Sequence, residues 1–268
     1  MKVLVISQYF WPENFRINDI CVELKSRGHE IHVITSLPNV PGGRFYNGYS
    51  LFKKGPGEYE GITVERVRTI PRGKNNFFLL AINCFTFAIN ALLHIPKHIK
   101  RGYDAVFVFE PSPLSVALPA VFFRILTKKK IPSYLYVLDI WPQSMYFLLG
   151  LKKGTHKLLR RVMGKICANI HRKFDTLLVS SPGFFEKLKN QGVAMEKMIY
   201  FPNWSEEAPN IEYDNEMADK YTVNDKFVVT FAGNMGRAQG LDQVIEAARL
   251  THSNKNIIWM IVGDGTEA

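Results

Sequence analysis

The first 35 residues alternate between two hydrophobic periods, and that alternation constrains the fold more than any other feature. Residues 3–7 form a short β-branched run. Ile17, Ile20, Cys21 and Leu24 then recur at helical spacing, and Gly28 offers a stop before a second apolar run at residues 31–35. Strand, helix and strand at this spacing predict a parallel βαβ unit, because a parallel neighbour is reached only through a crossover.

The alternation continues. Strands are predicted at residues 62–67, 105–109, 133–138 and 176–180, with helices at 77–100, 114–127 and 156–173. A doubly wound α/β sheet accommodates that order. Residues 38–57, rich in Gly, Pro, Tyr and Asn, read as a long loop of the kind that is usually functional. Pro202-Asn203-Trp204 breaks the pattern, and an acidic stretch at 205–219 reads as a linker with a short surface helix. A second unit follows: a strand at 227–232, a glycine-rich turn, a helix at 241–250 and a strand at 257–262. The chain ends just after that strand, where an α/β domain ordinarily continues. The expectation is a complete Rossmann-like domain at 1–202 and an incomplete, truncated one at 203–268.

Of 268 residues, 47% are hydrophobic and 22% charged, which excludes a disordered or fibrous chain. Cys21, Cys84 and Cys167 lie far apart within apolar helical patterns, so a reducing, cytoplasmic compartment is expected and a disulfide framework is not. Met1-Lys2 runs straight into a short strand, so no secretion signal is read. The net charge of +10 is regional: residues 96–173 hold 15 basic and 3 acidic residues, whereas residues 203–268 hold 5 and 11. A basic region of this kind attracts phosphates of a diphosphate substrate, an anionic lipid or nucleic acid, or is simply solvated. No nucleic-acid module is recognisable, so nucleic acid is not an expected partner.

Three turns follow predicted strands and carry the candidate chemistry. In Phe10-Trp11-Pro12-Glu13-Asn14-Phe15-Arg16, Arg16 offers a forked donor for phosphate and the aromatics a stacking surface; alternatively they cover the sheet edge. In Asp139-Ile140-Trp141-Pro142-Gln143-Ser144, the carboxylate suits orienting or deprotonating a hydroxyl, or capping the next helix. In Gly233-Asn234-Met235-Gly236-Arg237-Ala238-Gln239-Gly240, glycines permit close backbone approach and helix-start amides favour phosphate, while a plain tight turn uses the same residues. The spacing is not G-x-G-x-x-G, so a nicotinamide cofactor is not indicated.

Residues 77–95 are very apolar but interrupted by Asn83 and Asn90, which leaves little room for a membrane span. The segment fits a membrane interface or a place beneath another helix. Leu158, Leu159, Val162, Met163, Ile166 and Ile170 form an apolar stripe flanked by Lys157, Arg160, Arg161 and Lys165, again suiting an anionic membrane surface or ordinary packing. The seven histidines show no ligand spacing, so no metal site is expected.

Taken together, Tyr9-Phe10-Trp11-Pro12-Glu13 with Arg16, the stretch around Arg27-Gly28-His29-Glu30, Asp139 to Ser144, and Gly233 to Ala247 with Gly263-Asp264-Gly265 resemble bacterial glycosyltransferases of family four, retaining and of GT-B type. The resemblance is greatest to the subgroup adding amino sugars in lipopolysaccharide and capsule assembly. It implies two facing nucleotide-fold domains, a lipid-linked or saccharide acceptor on the first, and a nucleotide-sugar donor, UDP-linked, on the second. It implies a catalytic role for Asp139, acceptor contacts from Glu13, Arg16 and Trp141, and donor contacts from Gly233, Asn234, Gly236, Arg237 and Asp264. No cofactor or metal is implied. The implied setting is the inner face of the cell membrane, with a partner chain supplying the remaining half if the protein is split; the truncated chain is expected to be inactive without it. Many members carry His where Leu138 stands and basic residues at the positions of Asn234 and Gln239. The family's later pair of glutamates, spaced by seven residues, has no counterpart here.

Overall fold

The computed structural model describes residues 1–268 apart from 75, 112, 129, 149–155, 206–215, 222, 237–238 and 266–268. Its contacts divide the chain into two units, Met1–Asn203 and Trp204–Ala268.

The first unit is built on an eight-stranded sheet: β1 (Lys2–Ser7), β2 (Glu30–Thr35), β3 (Glu58–Tyr59), β4 (Ile62–Arg66), β5 (Ala105–Glu110), β6 (Ser133–Val137), β7 (Thr176–Val179) and β8 (Met198–Tyr200). Their order is β3-β4-β2-β1-β5-β6-β7-β8, parallel throughout except for the short antiparallel β3. β1 is central, with Val5 opposite Val33 on one side and Phe107 on the other. The chain winds outward from β1 in one direction and then returns to wind in the other. This reversal places the topological switch point between β1 and β5, where their outgoing loops part and leave a crevice.

Because side chains alternate across a strand, the central strands feed two cores. Leu4, Ile6, Val106 and Val108 pack on one face with Phe87 and Ala91 of α2 (Phe77–His94), Phe123 of α3 (Leu118–Leu126), Cys167 and Ile170 of α5 (Lys157–Arg172) and Leu188 of α6 (Pro182–Asn190). Val3, Val5 and Phe107 pack on the other with Ile17 and Cys21 of α1 (Arg16–Ser26). The three cysteines are buried free thiols.

Several boundaries differ from the sequence reading. The helix expected at 77–100 is α-helical only to His94; Pro96 lacks an amide proton, and the chain tightens into a 3-10 turn at Ile95–His98. A 3-10 turn at Leu114–Ala117 likewise precedes α3. The antiparallel β3, α4 (Gln143–Leu148), α6 and β8 had no clear periodicity and were not expected. The segment Phe77–His98 is, contrary to expectation, long and apolar enough to cross a membrane by length and composition, and a third of its most apolar 18-residue window is buried. Its asparagines are anchors: Asn83 accepts from Gln8 at 2.7 Å and donates to the Ile70 carbonyl at 2.6 Å, and Asn90 donates to the Arg68 carbonyl at 3.0 Å.

In the second unit α7 (Glu216–Lys220) precedes a parallel pair, β9 (Phe227–Ala232) and β10 (Ile257–Val262), joined through α8 (Leu241–Leu250). The register places Val229 opposite Trp259, so both strands end at one edge.

Candidate functional site

A cavity of about 740 Å³ opens in the first unit at the switch point. Tyr9 and Phe15 reach it from the loop after β1, Pro111 and Pro113 from the loop after β5, and Trp141 from the loop after β6. Leu80 and Cys84 of α2 and Met163 and Cys167 of α5 close the sides. Apart from Arg72 and Ser115, the lining is apolar or aromatic. Such a space favours a hydrocarbon over a free sugar, since sugar hydroxyls need partners the walls do not offer.

The loop after β1 is held from within. Asn18 accepts from the Trp11 amide at 3.0 Å and donates to the Glu13 carbonyl at 2.8 Å. Trp11 stacks on Tyr59 at 4.8 Å, and Arg66 donates to its carbonyl at 2.8 Å. The structure gives Glu13 a different place from the direct acceptor contact expected of it. It is 1% exposed, and its Oε1 accepts from the amides of Asn39 and Val40 at 2.7 and 2.8 Å. Burial pushes its carboxyl up to about 7 although those amides favour the charge. Glu13 therefore ties the long loop to the cavity wall. Arg16 begins α1 and pairs with Asp19 at 3.3 Å; its side chain is not part of the lining.

Asp139 follows β6. Its Oδ1 accepts from the Ile140 amide at 2.8 Å and from the Ser144 hydroxyl, which fixes the carboxylate at the start of α4. Its Oδ2 accepts from none of the described residues. Neighbouring Trp141 lines the cavity, whereas Asp139 does not. Two of the expected loops thus meet at one cavity, through Phe15 and Trp141 rather than through Arg16 and Asp139. Behind Trp141 a relay sets its position: His171 Nδ1 and Gln191 Oε1 lie 2.6 Å apart, and Gln191 donates to the Trp141 carbonyl at 2.8 Å. A glutamine oxygen only accepts, so the imidazole carries its proton on Nδ1.

Two groups escaped the sequence reading. Arg72 brings a guanidinium to the apolar cavity, held there because Asn39 Oδ1 accepts its amide at 3.0 Å; it lies in an irregular segment with no periodicity to mark it. Glu110 ends β5 fully buried, with both carboxyl oxygens unpartnered among the described residues. Burial and then the Asp139 charge push its carboxyl well above the carboxylate range. An acidic residue at the carboxyl end of a buried strand was the signal available.

In the second unit the glycine turn and Gly263-Asp264-Gly265 lie side by side. Gly233 donates to the Val262 carbonyl and Met235 to the Asp264 carbonyl, each at 2.9 Å. A Cβ on Gly263 would sit 1.8 Å from the Gly233 oxygen, so only glycine permits this approach. Gly233, Asn234, Gly236 and Asp264 are thereby brought to one edge, and Asn234 and Asp264 are exposed there. Arg237 lies outside the described residues.

Residues 14–204 match the family model described as Glycosyl transferase 4-like domain. WcaI of Escherichia coli K12, whose name assigns it to glycosyl transfer in colanic acid biosynthesis, is 26% identical over 99% of this chain and 66% of its own length. WbjE of Pseudomonas aeruginosa, named as a glycosyltransferase, is 26% identical over 74% of this chain and 46% of its own. Among solved structures, Anabaena HepE in complex with UDP and glucose superposes with a TM-score of 0.59 at 14% identity, over 99% of this chain and 61% of HepE. The chain thus spans at most about two thirds of the length of these proteins. The HepE likeness shows the shared GT-B type of fold.

Proposed function

Because this chain belongs to the glycosyl transferase 4-like domain family, we propose that it supplies the acceptor half, and part of the donor half, of a sugar transferase. The donor is a nucleotide diphosphate sugar, UDP-linked and carrying an N-acetylated amino sugar. The acceptor is a lipid-linked saccharide of a cell-surface polysaccharide. The observation that carries this reading is the apolar cavity at the switch point. A polar sugar gains little from such walls, whereas a buried methylene contributes about 0.8 kcal/mol.

Arg72 suits the phosphate that links lipid and saccharide, as a cation at the margin of a hydrocarbon site. Asp139, whose Oδ2 accepts from none of the described residues, suits orienting the attacking hydroxyl. The exposed glycine edge of the second unit offers amides to the diphosphate, where charge develops as the donor bond breaks. HepE was crystallised with UDP, which supports a uridine donor.

The cavity walls extend outward into exposed apolar side chains. Phe78 is 71%, Phe85 65% and Leu158 75% exposed, and Arg161 and Lys165 flank the last of these. This combination supports a peripheral position on the cytoplasmic membrane surface, with the cavity drawing lipid from the bilayer. The test is transfer of a labelled N-acetylhexosamine from its UDP donor into a lipid-extractable product by a longer protein that carries this chain with the rest of the donor half. Transfer to a water-soluble saccharide with equal efficiency, lipid or no lipid, would overturn the acceptor assignment.

A further inference from the structure

The histidines carry no ligand pattern in the sequence, yet folding gathers two of them around a carboxylate. His32 comes from β2, Glu65 from β4 and His98 from the 3-10 turn after α2. One ligand atom from each lies within 4.8 Å of the others. Glu65 Oε2 is 3.6 Å from His32 Nε2 and 3.2 Å from His98 Nε2. Both imidazoles are more than nine-tenths buried, and neither Nε2 has a hydrogen-bond partner among the described residues. The geometry points to a divalent metal site of the zinc class, with His32 Nε2, His98 Nε2 and Glu65 Oε2 as ligands.

Three features favour that assignment. Ligand atoms about 2.0–2.2 Å from a tetrahedral metal stand roughly 3.3–3.6 Å apart, and the carboxylate oxygen lies 3.6 Å from one nitrogen and 3.2 Å from the other, within about 0.1 Å of that range. The outer sides of both rings converge on one phenol: Tyr103 Oη is 2.8 Å from His32 Nδ1 and 3.0 Å from His98 Nδ1. A phenol oxygen accepting from both Nδ1–H groups leaves both Nε2 lone pairs turned inward, the usual outer support of metal-bound histidine. The Glu65 carboxylate is engaged on its other oxygen by the Lys97 ammonium. Lys97 sits 2.6 Å from Oε1 and leaves Oε2 for the metal. One contact opposes the assignment: Arg101 Nη1 lies 3.2 Å from His32 Nδ1 and must turn elsewhere when that nitrogen carries a proton. His94 Nε2, 3.7 Å from Oε1, stands outside the three-atom set.

The site joins the turn after α2 to the sheet, whereas the cavity uses the other half of α2, from Phe77 to Phe85. The metal would be structural, pinning the helix whose far half walls the lipid site.

The test is titration of the folded chain, stripped with chelator, with cobalt(II) and then zinc(II). We expect one cobalt per chain with the visible absorption of a four-coordinate ion, displaced by zinc, and a higher unfolding temperature with zinc. H98Q and E65Q lose the absorption, H252Q on the second unit keeps it, and Y103F binds about 10- to 100-fold more weakly. Circular dichroism verifies folding of each variant, and the unsubstituted chain decides the matter if a variant does not fold. Absence of stoichiometric cobalt absorption in the folded chain, or absorption unchanged in H98Q and E65Q, would overturn the proposal.

Discussion

The rings of Tyr9 and Phe15 lie face to face, centroids 4.7 Å apart and 11° from parallel. Both line the cavity, so this stack forms the wall contributed by the first loop. Replacing Phe15 by Ala removes the stack and part of that wall. Aromatic pairs add about 0.5–1.5 kcal/mol beyond area burial, and Phe15→Ala is expected to cost about 1–2 kcal/mol in denaturant melts. Phe15→Leu should cost less; equal and negligible effects of both would mean the stack contributes nothing.

Much of this arrangement was legible in the sequence. The switch-point sheet followed from alternating periods in residues 3–7, 17–24 and 31–35, because a parallel sheet buried on both faces leaves continuous apolar runs. The three loops were legible as well, since aromatic, acidic and glycine residues directly after strands fall at the carboxyl edge. What each side chain does there was not. Glu13 turns inward to two amides, and Phe15 rather than its neighbour Arg16 meets the cavity. Such choices depend on packing between residues distant in sequence. Arg72 and the His32–Glu65–His98 cluster escaped for the same reason.

His171 makes acid a specific hazard. Burial holds its imidazole at about 4, below the ordinary 6.5. The folded chain thus binds fewer protons here than the unfolded chain between those values, and stability rises with pH across that window. The contribution is present above pH 6.5 and is lost as pH falls toward 4, up to about 3 kcal/mol at 1.36 kcal/mol per unit. Melting temperatures from pH 7 to 4 should fall more steeply for the unsubstituted chain than for His171→Gln. Parallel curves would contradict this.

In the second unit, Gly263→Ala sets a methyl group 1.8 Å from the Gly233 carbonyl oxygen. Overpacking typically costs about 1–3 kcal/mol, and here backbone must move. Hydrogen exchange should accelerate at residues 227–265 while the first unit keeps its protection. Unchanged exchange across both loops would show that they are not packed as described.

For transfer by a longer protein that carries this chain with the rest of the donor half, Asp139→Asn is expected to lower turnover by about 100-fold or more, the ordinary range for losing a proton-handling group, with little change in donor affinity. Ser144→Ala should have a smaller effect in the same direction, since the Ser144 hydroxyl only holds Oδ1. Turnover unchanged in Asp139→Asn would reduce Asp139 to a fastening at the start of α4.

Membrane attachment should depend on anionic lipid. Each basic residue near a charged surface adds about 1 kcal/mol, screened by salt, and residues 96–173 carry a net charge of +12. Vesicles with phosphatidylglycerol should sediment the chain at low salt, and Phe78→Ser with Leu158→Ser should weaken this. Equal, salt-insensitive binding to neutral vesicles would contradict it.

The lipid assignment of the cavity is tested most directly by comparing two ligands that differ only in a prenyl tail. Fluorescence titration of this chain with a short-chain prenyl diphosphate saccharide, and with the same saccharide diphosphate lacking the tail, gives both affinities. The account predicts at least about 100-fold tighter binding with the tail, since each buried methylene contributes about 0.8 kcal/mol and tenfold needs about 1.4. It further predicts that Leu80→Glu, on the cavity wall, abolishes the difference, and that Arg72→Gln weakens both ligands. Equal affinities with and without the tail, or a difference that survives Leu80→Glu, would contradict it.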